Sequence, residues 1–226
     1  MRPELFSVLF GLLVSWSAFA QSDGGTARRP ADVKELARRM QVFYEKTSGF
    51  TANFKQEYTH QAFHRTQTSS GKVFFLKPAM MRWEYEKPSR KTFVLTGEKM
   101  YAYDEEAATF TIAPFDSNQL SAAVTFLWGK GRLEKEFRIE GAACANCEGV
   151  LLELTPLRPD PRFQRVRLEV NPKTAQVLAS TVVDPDGSEN RISFSDFKAN
   201  EKIDKGLFHL TPPANAQVVD MTKKSP

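Results

Sequence analysis

The sequence predicts a mainly β (α+β) protein built on one continuous antiparallel sheet, with an N-terminal helix and a helical segment inserted among the strands. Three observations predict it. Apolar and polar residues alternate over short runs along most of the chain, the period-2 pattern of strands with one dry and one wet face. Turn residues such as Gly97-Glu98, Asn171-Pro172 and Asp186-Gly187 separate the runs at short spacing. Two segments instead carry apolar residues at helical spacing. No internal repeat or low-complexity linker appears, so residues 31–220 are expected to be a single domain.

The first element is expected to be removed. Met1 to Ala20 has Arg2 near its start, an apolar segment from Leu5 to Phe19 and Ala18-Phe19-Ala20 as a small-x-small cleavage site. That is the layout of a secretory signal peptide, and its apolar segment is too short for a spanning helix. Residues 21–30 read as a flexible leader and residues 221–226 as a tail. The only cysteines, Cys144 and Cys147, lie far from the cleavage site, so the exported chain is expected to be released rather than lipid-anchored.

From Asp32, the positions Val33, Leu36, Ala37, Met40, Phe43 and Tyr44 recur at helical spacing, with Pro30 before them and Gly49 as a stop. Phe50, Ala52 and Phe54 then alternate with Thr51, Asn53 and Lys55 as a first strand. The polar stretch Thr59 to Ser70 reads as a mobile β connection. Beyond it, Gly71 to Pro88 is rich in apolar and aromatic residues, with Met81, Trp83 and Tyr85 alternating with Arg82, Glu84 and Glu86. Lys91–Thr96 and Met100–Tyr103 form a hairpin about Gly97-Glu98, and Thr109–Ala113 is a further strand. Leu120, Ala123, Val124, Leu127 and Trp128 then mark the inserted helix. Strands resume at Phe137–Glu140, Val150–Thr155, Arg165–Val170, Gln176–Val183 and Arg191–Phe197.

Composition excludes some functions. Thirty-one Lys plus Arg against 27 Asp plus Glu give a formal net charge of +4. The basic residues are scattered, which gives no support to nucleic-acid binding. Cys144 and Cys147 flank Ala-Asn between two strands, in an oxidising compartment. A disulfide clamping that turn is favoured over a redox pair, which usually opens a helix. His60 and His64 share an i, i+4 spacing without the acidic residue of a zinc-hydrolase helix, so no metal site is expected. The sequence carries no nucleophile elbow and no phosphate-binding glycine loop, so neither an enzyme nor a cofactor is expected.

Several segments together resemble one family. Gly49-Phe-Thr-Ala-Asn-Phe-Lys-Gln56, Gly71-Lys-Val-Phe-Phe-Leu-Lys-Pro78 through Arg82-Trp-Glu84, Thr96 to Asp104, and Phe208-His-Leu-Thr-Pro-Pro213 are similar to the periplasmic outer-membrane lipoprotein carriers of the LolA type. The resemblance runs from about residue 32 to 220 and implies a strongly curved sheet forming an unclosed β-barrel, with a helical lid over an apolar cavity. It implies a soluble, monomeric periplasmic carrier. Such a carrier binds the acyl chains of lipoproteins received from an inner-membrane ABC transporter and passes them to an outer-membrane acceptor. Under it, Phe54, Met81, Trp83, Phe93 and Leu95, with the lid residues Phe126 and Leu127, line the cavity. Ordinary core packing remains open for each of them.

The family's basic residue before proline, commonly arginine, bonds to lid backbone; the matching residue is Lys77. Lysine donates hydrogen bonds to carbonyls but lacks arginine's planar fork, and a solvated strand-end charge is the competing reading. Two other functions stay open: a lipid or lipopeptide sensor or free-lipid carrier of the same fold, and a thiol oxidoreductase using Cys144 and Cys147.

Overall fold

The structure, a computed structural model, describes residues 30–115 and 132–223. It opens with helix α1 (Pro30–Lys46). Six strands follow in meander order: β1 (Gly49–His60), β2 (Arg65–Leu76), β3 (Met80–Lys87), β4 (Lys91–Thr96), β5 (Lys99–Asp104) and β6 (Thr109–Pro114). A single turn of helix α2 (Leu133–Glu136) leads into β7 (Phe137–Ala142), β8 (Val150–Pro156), β9 (Arg165–Val170), β10 (Val177–Val183) and β11 (Glu189–Ala199). A 3-10 turn at Lys205–Phe208 and strand β12 (Gln217–Asp220) complete the chain. The signal peptide, the leader and the inserted helix expected over residues 117–131 lie outside the described residues.

All the described strands join one 12-stranded sheet in the order β12-β6-β5-β4-β3-β2-β1-β11-β10-β9-β8-β7. Among the described residues its edges, β12 and β7, are not paired with each other, so the curved sheet is an unclosed barrel. The halves meet where β1 pairs antiparallel with β11, setting Phe50 opposite Ala199 and Phe54 opposite Phe194. Asp196, at φ 49°, makes a bulge in that ladder. The extra residue lets Phe194 and Phe197, three apart and therefore on opposite faces of a regular strand, both turn to the core. The Phe197 ring stacks on Phe50 at 4.9 Å.

Helix α1 covers part of the concave face. Val33, Leu36, Ala37, Met40 and Tyr44 are each no more than 5% exposed, which makes this stripe core rather than surface. Each large side chain buried this way stabilises by about 1.5–3 kcal/mol. A Cβ on Gly141 of β7 would lie 2.9 Å from Val33 Cγ2, so glycine there admits the close approach of the helix. Arg39 donates from Nη1 to the Pro172 carbonyl at 2.9 Å, tying the helix to the β9–β10 turn.

One sequence expectation needs correction. Thr59 to Ser70 is not a loose connection: β1 runs to His60 and β2 starts at Arg65, leaving only residues 61–64 as a turn. The polar residues are held because β1 is paired on both sides, Thr59 facing Thr66 of β2 and Glu189 of β11. Their alternation carries no apolar signal because this end of the hairpin covers no core. The C-terminal end adds two elements after β11. The 3-10 turn packs on β3 and β4, buries Phe208 and places the Leu207 carbonyl 2.8 Å from Arg82 Nη1. Strand β12 then pairs parallel with β6, the one parallel pair in an otherwise antiparallel sheet.

Glu169 is only 4% exposed, yet its carboxylate is fully partnered by one guanidinium and two amides. Its Oε1 accepts from the Glu148 and Gly149 amides at 2.7 and 3.2 Å, and its Oε2 accepts from Arg191 Nη2 at 2.9 Å. Burial pushes this carboxyl up, but Arg191 and the two amides outweigh it and hold the group below its ordinary value of 4.5. A carboxylate with a depressed folded pKa stabilises the fold above the unfolded value and loses that contribution as pH falls through the folded one. Glu169→Gln is expected to cost roughly 2 kcal/mol near pH 7. Urea melts should show the gap between the two proteins closing as the pH drops below about 4. A gap independent of pH would remove the carboxylate from this account.

Candidate functional site

Strand pairing arranges the concave side of β1–β6 into rows. One row runs Phe50, Phe75, Met81, Leu95, Met100 and Ala113; the next runs Ala52, Val73, Trp83, Phe93, Ala102 and Thr111. A third row runs Phe54, Gly71, Tyr85, Lys91, Asp104 and Thr109. Period-2 alternation puts these residues on one face, and the antiparallel register puts them side by side.

The rows differ in how far they are closed. In the first, Phe50, Phe75, Met81 and Leu95 are between 0% and 9% exposed and belong to the main core. In the second and third, Trp83, Tyr85 and Phe93 are only half-buried around the buried Phe54. Their rings meet edge to face: Phe54 with Trp83 at 4.8 Å, Phe54 with Tyr85 at 4.9 Å and Tyr85 with Phe93 at 5.6 Å. Edge-to-face pairs of this kind add about 0.5–1.5 kcal/mol each beyond area burial.

Gly71 makes the cluster geometrically feasible. It sits at a bulge between β2 and β3, where a Cβ would collide with the Glu84 carbonyl oxygen. With no side chain between them, Phe54 and Tyr85 close directly over the glycine. Beyond the aromatic cluster the face turns polar: Tyr85 Oη donates to Gln56 Oε1 at 2.9 Å and Gln56 Nε2 donates to Asn190 Oδ1 at 2.9 Å. Burial raises the Tyr85 phenol above its ordinary value, so it remains a neutral donor.

The structure therefore brings Phe54, Met81, Trp83, Phe93 and Leu95 onto one face, with Met81 opposite Leu95 and Trp83 opposite Phe93. Phe126 and Leu127 lie outside the described residues. Tyr85, Met100 and the polar rim of Lys91 and Asp104 join the same face. Their side-chain period was readable, but register with neighbouring strands was needed to place them.

Lys77 stands at the other end of β2. Its Nζ donates to the Tyr44 and Glu45 carbonyls at 2.6 and 3.0 Å, in the last turn of α1, where the Tyr44 carbonyl also accepts the Thr47 amide at 3.3 Å. A cation at a helix C-terminus is favoured by the helix dipole. Burial lowers the ammonium's pKa, with Glu45 opposing. Cys144 and Cys147 are joined by a disulfide in the loop between β7 and β8, with Cα atoms 5.6 Å apart. No helix begins in that loop, so the electrostatic activation of a redox cysteine is missing from it. Among the described residues no helix is long and apolar enough to cross a membrane, and no group of three His, Cys, Asp or Glu side chains is arranged to hold a metal.

Comparison with known proteins follows the same lines. An outer-membrane lipoprotein carrier protein of Neisseria meningitidis is 28% identical over 180 residues, which cover 80% of this chain and 84% of that one. One from Dechloromonas aromatica is 31% identical over 178 residues, covering 78% and 84%. The crystal structure of an uncharacterized conserved protein from Thermus thermophilus shares the fold, with a TM-score of 0.52 at 17% identity over 83% of this chain and 98% of that one. Residues 45–211, which include every strand of the concave face, match the family model described as outer membrane lipoprotein carrier protein LolA, and the chain belongs to that family.

Proposed function

We propose that this protein is a periplasmic lipoprotein carrier that shelters acyl chains against the concave face. In this reading it receives acylated proteins from an inner-membrane ABC transporter and delivers them to an outer-membrane acceptor, without catalysing a reaction. The observation that supports it is the half-buried cluster of Trp83, Tyr85 and Phe93 on a sheet whose neighbouring row is buried at Phe50, Phe75, Met81 and Leu95. A sheet needing only a core would close this face as it closes the row of Phe75 and Met81.

The energetics suit a carrier. Burying an acyl chain is favourable by about 0.8 kcal/mol per methylene, on the order of 10 kcal/mol for one chain. Complete burial of three chains would exceed the practical ceiling of about 20 kcal/mol for reversible binding. Partial exposure of the cargo, or a cost for opening the site, keeps release feasible. We assign Lys77 to that opening cost, because its two bonds close the last turn of α1 over the mouth of the sheet.

Native mass spectrometry of the protein co-expressed with an acylated lipoprotein and a non-acylated control tests the carrier reading. A one-to-one complex with the acylated form alone is expected; equal binding of both forms contradicts it. Trp83→Asp and Phe93→Glu should each weaken acyl binding by about tenfold or more while the β-sheet circular dichroism persists. Unfolding of both variants would show these positions to be ordinary core. Lys77→Met should speed the uptake of a fluorescent fatty-acyl probe several-fold, about 1 kcal/mol of closing energy having been lost. A fall in melting temperature with unchanged uptake would make Lys77 a purely structural clamp.

A further inference from the structure

The third row of the concave face does not end with the aromatic rings. It continues through Lys91 and Asp104 to Thr109, and the second row ends in Thr111. These four residues, with Phe93 and Ala102, line an open depression of about 330 Å³. Phe93 belongs both to this depression and to the aromatic cluster, so apolar surface runs unbroken from one to the other.

Charge in the depression is balanced. Lys91 Nζ lies 2.8 Å from Asp104 Oδ2, with the side chains 41% and 29% exposed. The hydrogen bond from Lys91, and then the Ala107 amide bonded to Oδ1 at 3.1 Å, hold the Asp104 carboxyl below its ordinary value and therefore ionised at neutral pH. The Thr109 hydroxyl donates to the Ala107 carbonyl at 3.1 Å, which fixes its oxygen at the rim.

We propose that this depression is the subsite for the uncharged ester and amide head of the acylated ligand, and that the Lys91–Asp104 pair discriminates against lipids with an anionic phosphate head. The assignment rests on the acyl-carrier reading above. An ammonium has three N–H donors, so Lys91 can serve an ester or amide carbonyl without leaving Asp104. Asp104 in turn accepts from an amide N–H. A phosphate must instead approach a carboxylate that already holds the one cation among the described residues that line the depression, and like charges this close repel. The pair thus screens by charge, while the adjoining aromatic face accepts acyl chains of either lipid.

The test uses the mature protein and an equimolar mixture of two lipids with matched palmitoyl chains. One is an N-acetylated, uncharged S-diacylglyceryl cysteine peptide; the other is phosphatidylglycerol. Native mass spectrometry reads the ratio bound. The wild-type protein should favour the uncharged lipopeptide. Asp104→Asn keeps the oxygen that accepts from Ala107 but frees Lys91, and should raise the phosphatidylglycerol share by about threefold, the scale of one partly exposed charge pair. Lys91→Met leaves the carboxylate unopposed and should lower that share. If both lipids load equally on the wild-type protein, or the ratio stays fixed in both variants, the head does not sit here. If the wild-type protein binds neither lipid, the carrier reading fails and takes this subsite with it.

Discussion

The antiparallel pairing of β1 with β11 is the contact on which the molecule depends, because it joins two meanders that are otherwise complete on their own. β1–β6 and β7–β11 are each built from sequence-adjacent strands, and nothing in either closes the other. The ladder from Phe50–Ala199 to Thr59–Glu189 ties residues more than half the chain apart, and the loop-closure cost of that contact is met only once the core is assembled. Its bulge at Asp196 turns both Phe194 and Phe197 inward, so the seam between the halves also carries the aromatic contact to Phe50. Curvature of the sheet and position of the core both follow from this seam.

Helix α1 and the concave rows divide one surface between stability and binding. The buried stripe of α1 and the row of Phe50, Phe75, Met81 and Leu95 pack as an ordinary protein interior, where further space would cost free energy. Two residues along each strand, the row of Trp83 and Phe93 is left half-covered, and two further it ends in ions and hydroxyls. This gradient from closed to open to polar runs along the strands and needs no separate element to create it.

Small backbone features decide what this surface can hold. Gly71 removes a side chain where β2 and β3 come closest, which lets Phe54 and Tyr85 meet across the gap. Lys77 donates to two carbonyls in the last turn of α1, at the end of the helix nearest the seam. At the far side of the sheet, Glu169 collects two amides and a guanidinium, securing the loop that the disulfide closes. These are local polar solutions to problems that burial alone cannot solve.

The sequence by itself determined the helix, most of the strands and the two faces of each strand, because 3.6-residue and 2-residue periods are properties of the local chain. Val33 to Tyr44 and Met81 to Tyr85 were legible for that reason, whereas Phe54, Trp83 and Phe93 were singled out through the family resemblance. The strand content of Thr59 to Ser70 was not legible, since pairing on both sides holds it without any apolar pattern. Nor was β12, four residues held by a parallel pairing with β6 from the middle of the chain. Only the tertiary structure decided register, and register alone sets Trp83 beside Phe93, Lys91 beside Asp104 and Phe54 beside Tyr85. Neighbours across strands are fixed by hydrogen bonds between residues distant in sequence, and periodicity within a strand carries no record of them.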